Sequence, residues 1–440
     1  MNKKERLELA DWAAKYAIKQ GTDQTSVSIT NQRNIEIQHR DKKLEKIQES
    51  TQNSLYIQIY AKHRYSGHST NDLKKGSLEK FIENAVSMTK YLSEDKFREL
   101  PDPKLYEGRK AIDLKVYDPY YHKLESDLRV KIAKEIEVAA IGVSDKIITA
   151  TASFNDTFYE NVRVHSNGFN GERMGTYFSV GAEATVKGKE GSRPEDYFFA
   201  TTRFFDQLPK PEVLGKGASE RALKKIGQKK IASGKMTMLV ENRAARRLFY
   251  ALRTPLTGRS LQQKRSYLEG KLNQKIASDL LTIINDPFIE KGLSSRLFDS
   301  EGLTAKRMPV VEKGILKNYF IDTYYGKKLG MEPTTGSSFN TVFEYGTRSL
   351  KEMISQVKKG ILISSFIGGN SNSTTGDFSF GLVGFYIEDG NIIHPVNEMN
   401  ISGNMSELWS QLVELGNDPY IYSSLRSPCL LFEDIQFSGL

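Results

Sequence analysis

At 440 residues the chain is long enough for two or three domains and a full hydrophobic core, and a single cysteine, Cys429, excludes an internal disulfide framework. With 38% hydrophobic and 27% charged residues it has the composition of an ordinary soluble protein, and no apolar run approaches the roughly 18 residues a membrane helix needs. Sixty-three Lys and Arg against 54 Asp and Glu leave +9, an excess that permits an acidic partner without demanding one.

Met1 to Lys19 is charged throughout, with no apolar stretch ahead of a cleavage site, so the expected location is the cytoplasm. Leu7, Ala10, Trp12, Ala14, Tyr16 and Ile18 form a loose helical stripe that stops at Gly21. Ser26–Thr30, Asn34–Gln38 and Ser54–Tyr60 alternate and are rich in Val, Ile and Tyr, which predicts three half-buried strands. A helix follows from about Leu78 to Tyr91, with Ser77 as its expected cap. Pro101, Pro103 and Pro119 lie in an aperiodic stretch, Ser93–Tyr120, that reads as a linker.

A second unit opens with a helix over Leu128–Ala140. Four strand-like runs come next: Lys146–Phe154, Thr157–Ser166, Gly175–Lys187 and Asp196–Phe205. Asn167 and Gly168 mark a hairpin turn between two of them. Leu214–Ile226 reads as helix, Lys235–Val240 as a strand and Asn242–Leu252 as helix again. Beyond that point glycines punctuate short apolar runs, the texture of a mostly antiparallel β domain. The fold class expected is α+β, with boundaries at 1–110, 111–225 and 226–440 and the antiparallel β-rich region last.

Chemistry is sparse. The six histidines, at 39, 63, 68, 122, 165 and 394, show no paired helical metal spacing, and neither a phosphate-binding loop nor a nucleophile elbow is present. Cys429 precedes Leu430, Leu431 and Phe432, where burial would quench its thiol. Asp299, Ser300, Glu301 and Gly302 read as a turn, with acid–base work as the alternative. The polar loop from Gly368 to Asp377, including Asn370, could line a binding cavity or form a surface turn. Lys216, Arg221, Lys224, Lys225, Lys229, Lys230 and Lys235 form the densest basic run, read as a solvated helix face.

Several blocks carry a resemblance. FDSEG at Phe298–Gly302, EKGILKNYF from Glu312, KKLG ending at Gly330, and the run from Thr375 to Trp409 beginning TGDFSFGLVGFYIEDG are similar to the TldD/PmbA family, and to its PmbA (TldE) branch in particular. The family carries the label "modulator of DNA gyrase". The resemblance implies a subunit of a zinc metallopeptidase that acts on small or unfolded peptides, with zinc held by an HExxxH helix in a TldD-type partner. It also implies an N-terminal α/β region, a middle α+β region and a C-terminal barrel-like region, and it suggests two-fold pairing, including a homodimer.

The corresponding helix here, Asn242–Leu252, has neither histidine nor glutamate, so no catalytic residue, metal ligand or cofactor is expected in this chain. Arginine cannot ligate zinc. Arg243 and Arg247 are instead candidate substrate-binding residues, suited to a peptide carboxylate, or else the polar face of an amphipathic helix. Asp299, Glu301, Asn370 and Asp377 complete the candidate set. A regulator that binds gyrase or nucleic acid directly is the alternative function; the basic run lacks the interleaved aromatics of a single-strand platform, so nucleic acid is not the expected partner.

Overall fold

The computed structural model describes residues 1–440. Helix α1 (Lys3–Lys19) starts at a reciprocal cap, in which Asn2 accepts from the Glu5 amide and Glu5 accepts from the Asn2 amide. Strands β1 (Gln24–Arg40), β2 (Lys43–Ala61) and β3 (Arg64–Thr70) and helix α2 (Lys75–Thr89) follow, then α3 (Ser126–Ile141). Strands β4 (Ile147–His165), β5 (Asn170–Val186) and β6 (Glu195–Thr202) and helix α4 (Pro211–Lys224) complete the first half.

All six strands form one antiparallel sheet in the order β3-β2-β1-β4-β5-β6. The expected strands 26–30 and 34–38 are one strand, and 146–154 with 157–166 are another. Polar residues at 31–33 interrupt the alternation, but the main chain there pairs on both sides, Asn31 with Asn53 and with Glu160. Hydrogen bonding therefore carries the strand through a stretch whose side chains do not announce it. The cap of α2 is Lys74, without a side-chain bond, not Ser77. The predicted hairpin turn at Asn167–Gly168 is present, with Gly168 at φ +104°.

Period-2 geometry sorts the two faces of this sheet. Val27, Ile29, Ile35 and Ile37 of β1 share one face: α1 and α2 cover its first end, α3 and α4 its second. Gly215 lets α3 and α4 touch, since a Cβ there would lie 2.2 Å from the Ile136 carbonyl. The opposite face carries Ser28, Thr30, Tyr159, Asn161, Arg163 and Arg173 in register. That polar face meets the second half of the chain. Arg173 donates to the Phe298 and Asp299 carbonyls, and Arg203 donates to Gly292 and Leu293, at 2.7 Å for the latter. The stretch 93–120 is irregular but anchored, with Asp95 accepting from Tyr324 and Lys328.

The second half contains β7 (Gly234–Val240), α5 (Arg246–Arg253), α6 (Gly258–Gln262), β8 (Ile283–Asp286), β9 (Met308–Glu312), β10 (Ile315–Leu316), α7 (Thr323–Leu329), β11 (Asn340–Phe343) and α8 (Leu350–Gln356). It ends with β12 (Lys359–Ser371), β13 (Asp377–Glu388), β14 (Asn391–Asn404), α9 (Met405–Ser410), β15 (Leu412–Leu415), β16 (Leu425–Arg426) and β17 (Leu430–Ser438). Strands β14, β13, β12, β7 and β17 are consecutive neighbours, and Asn400 and Ile401 pair back to Ser438 and Phe437, closing a five-stranded barrel. Met238, Val240, Ile363, Phe380, Leu382 and Phe432 belong to its buried core. A smaller sheet, β10-β9-β8-β11-β16, lies beside it. The α+β class with a barrel in the C-terminal region is thus what the structure has.

A buried ion pair lies under the first sheet. Arg129 of α3 and Asp156 of β4 meet at 2.5 Å with side chains 1% and 0% exposed. Asp156→Ala leaves a buried guanidinium uncompensated and is expected to cost about 3–5 kcal/mol. Joint replacement, Arg129→Met with Asp156→Leu, should cost distinctly less; denaturant midpoints of the two variants read the difference.

Candidate active-site cleft

The turn after β7 builds the site. Ala244 and Ala245 both donate their amides to the Glu241 carbonyl, and Asn242 Nδ2 donates to the Asp418 carbonyl at 2.7 Å. These bonds hold 242–245 as a turn, so regular helix begins at Arg246 rather than at the expected Asn242. Within α5, Leu248, Phe249, Ala251 and Leu252 are buried while Arg246 and Arg247 are exposed, an amphipathic helix with its cations outward.

Arg243 projects from the turn onto the rim of the first sheet. Its Nη2 donates to the Tyr197 carbonyl at 2.8 Å and its guanidinium lies 4.7 Å from the Tyr197 ring. Its Nη1 is buried and has no partner. Arg243 lines a cavity of about 490 Å³ between β6 and the barrel, whose lining also includes Ser364, Ser365 and Asn397. Asn397 Oδ1 is likewise buried and unpartnered. Two residues that line the same cavity thus each hold a buried polar atom without a partner, which is costly unless a ligand or water meets it.

The cavity is electrostatically divided. At one end burial raises the Glu183 carboxyl, helped by Glu195 and Asp196. Burial alone would raise Asp196 too, but Arg221 and Lys225 outweigh it and hold that carboxyl below its ordinary value. Arg221 bridges Asp196 and Glu241, and Lys225 Nζ reaches Asp196 at 3.0 Å. Two members of the basic run are thus consumed in ion pairs, and a third, Lys230, pairs with Glu398, so the run is not a free cationic patch. Sequence reading missed this network because its carboxylates come from β6 and from the turn after β7, on elements other than the helix that carries the basic run.

Arg247 donates to the Gly369 carbonyl at 2.6 Å and covers the Phe380 ring at 4.7 Å, which fastens α5 to the glycine bulge before Asn370. Asn370 is exposed and pairs across to Ser379. Asp377 begins β13; its carboxylate accepts from Thr375 at 2.6 Å and Asn404 at 3.1 Å, which lowers its pKa. Arg243, Arg247 and Asn370 therefore belong to one side of the barrel.

Asp299 and Glu301 lie elsewhere, against the polar face of the first sheet. The Asp299 carboxylate accepts from the Glu301 and Leu303 amides and from Thr335, which is the predicted turn, with Gly302 at φ +86°. Glu301 accepts from the amide and hydroxyl of Thr323 at 2.9 and 3.1 Å. Burial, then the neighbouring Asp299, pushes its carboxyl up to about 7. Arg163 of β4 forms no hydrogen bond and its Nε is buried without a partner.

No group of three or more His, Cys, Asp or Glu side chains could hold a metal ion. His39 is paired with Glu137 at 2.5 Å, and burial, with Arg163 nearby, holds His165 down to about 3 beside Tyr106. Near Asn242 the only ligand-type pair is Cys429 with Asp418, at 2.9 Å. Burial first, then Asp418, raises that thiol, so it stays protonated. This donor set does not fit a zinc ion.

Two domain models match, the PmbA/TldA metallopeptidase central domain over residues 120–226 and its C-terminal domain over 233–439. The chain belongs to the PmbA/TldD family. A Metalloprotease PmbA homolog from Buchnera aphidicola subsp. Baizongia pistaciae is 31% identical, over 84% of this chain and 83% of that protein. Metalloprotease PmbA from Escherichia coli O157:H7 is 28% identical, over 95% and 93%. A solved structure from Bacteroides thetaiotaomicron, named as a proposed modulator of DNA gyrase, superposes with a TM-score of 0.97 at 41% identity over 100% of both chains. TldE from Thermococcus kodakarensis shares the fold, with a TM-score of 0.84 at 21% identity over 98% of this chain and 100% of that one. No helix of the PmbA/TldD chain is long and apolar enough to cross a membrane.

Glu301 sets a pH dependence of stability. Its carboxyl is raised from 4.5 to about 7 on folding, so its contribution is fully present below pH 4.5 and is lost as pH rises through 7. Glu301→Gln keeps an acceptor for Thr323 and removes the titration. Relative to the unsubstituted chain it should gain on the order of 3 kcal/mol between pH 4.5 and 8, from a shift of that size. Unfolding free energies across this range that run parallel in the two proteins contradict the assignment.

Proposed function

We propose that this chain is a PmbA/TldE-type, non-catalytic subunit of a cytoplasmic zinc peptidase that acts on small or unfolded peptides, paired with a TldD-type subunit holding the metal. The observation that carries the reading is the cavity with an unpartnered Arg243 donor and an unpartnered Asn397 acceptor. A peptide carries the complement of both, a carboxylate or carbonyl for the guanidinium and an amide N–H for the asparagine oxygen. Family membership supports peptide chemistry, and the absence of a fitting donor set around Asn242 supports placing the metal on another chain.

In this reading Arg243 grips the peptide, Arg247 and Asn370 shape the rim, and Asp377 steadies the barrel loop beside it. Asp299 and Glu301 act at a distance, by fixing the turn that seats the first sheet. Metal analysis and cleavage of an unstructured peptide, for the chain alone and after mixing with the TldD-type protein from the same source, test the pairing. Zinc and chelator-sensitive cleavage are expected only in the mixture; stoichiometric zinc and cleavage in the chain alone overturn it. Arg243→Ala removes a charge-assisted bond worth roughly 1.5–3 kcal/mol, so KM in the mixture should rise about tenfold or more with kcat less affected.

A further inference from the structure

A second cavity, of about 760 Å³, lies on the other side of the Asp196–Arg221–Glu241 network from the Arg243 site. Its chemistry differs. Leu350 and Ile354 of α8, Leu362 of β12 and Phe385 of β13 make an apolar wall, and Ile392 and Ile393 stand on its rim 48% and 52% exposed. The carboxylates that reach it, Asp196 and Glu241, are already bridged by Arg221. Lys224 of α4 and Lys351 of α8 also line it, and neither forms an ion pair or hydrogen bond, so uncompensated positive charge faces the apolar wall. Above the rim, residues 391–394 of β14 pair only with β13. The strand's contact with β17 is confined to Asn400 and Ile401, and Lys229 bridges at Val396. The outer main-chain edge of 391–394 is therefore open.

We infer that this cavity binds the C-terminal residue of an extended peptide with a large apolar side chain. Three features select that ligand together. The apolar wall receives the side chain; Lys224 and Lys351 receive the terminal carboxylate; and the open edge of β14 offers hydrogen bonds to the peptide main chain, as in strand addition. A free fatty acid would satisfy the first two features and leave the edge unused. The inference deepens the peptide-handling role and rests on it for the class of ligand.

Fluorescence anisotropy on the full chain tests it, with labelled hexapeptides of otherwise polar sequence ending in Ile-Leu, as free acid and as C-terminal amide. The free acid should bind about tenfold more tightly than the amide, and Lys224→Ala and Lys351→Ala should each weaken the acid several-fold without changing the amide, as expected for a lysine acting as a point charge. Ile393→Asp should weaken both. Equal affinity for acid and amide, or indifference to both lysines, overturns the inference. Octanoate that competes as strongly as the peptide overturns the choice of a peptide end. Absence of binding while the mixture with the TldD-type subunit still cleaves peptide sinks this site alone; binding without any cleavage in the mixture sinks the subunit role instead.

Discussion

The two halves of the molecule are held by arginines bonded to carbonyl oxygens. Arg173 and Arg203 leave the polar face and far edge of the first sheet and end on main-chain oxygens of the loop 292–299, with the Tyr177 hydroxyl adding a bond to the Leu293 carbonyl at 2.9 Å. The guanidinium fork serves this junction because it presents several donors in a plane and remains charged even when burial lowers its pKa, as it does for Arg173 and Arg296. A lysine would offer one point charge and lose the geometry. Everything that depends on the relative placement of sheet and barrel, including the cavity beside Arg243, inherits its shape from these bonds.

The same residue type performs a different task one strand away. At the edge β6, Arg221 and Lys225 pair with Asp196 and Glu241, and so join the first sheet to the barrel by charge. Arg243, leaving from the next turn, spends one nitrogen on Tyr197 and keeps the other free. Arginines that join the two halves and the cavity-lining Arg243 thus stand side by side.

This explains what the sequence could disclose. Apolar alternation in Val27–Ile29 and Ile35–Ile37 predicted strands correctly, and the glycine-rich second half predicted a mostly antiparallel β region, because both signals are local; the barrel came from the family resemblance. The continuity of β1 through Asn31, Gln32 and Arg33 was invisible, since it comes from neighbours 22 and 129 residues away in the register with Asn53 and Glu160. Arg243 and Arg247 could be singled out because the family pattern made their identity unexpected at that position. Asn397 could not, since an asparagine in a strand-rich region carries no signal until its oxygen is found without a partner. Asp299 and Glu301 were legible as a turn and illegible as a buried one. The motif tells how the backbone bends but not which surface it bends toward.

Barrel closure also has a temporal side. β7 begins at Gly234 and takes as its neighbours β12, more than a hundred residues later, and β17, which ends at Ser438. Contacts of such sequence separation form slowly, and here the last strand is the one that seals the ring. During synthesis the first sheet and its four helices can complete their own core, while the barrel strands wait with open edges until β17 has left the ribosome. The barrel strands are therefore most exposed to aggregation and proteolysis in the interval before β17 emerges, and a partner or chaperone that covers β7 or β12 in that interval acts on assembly as much as on function.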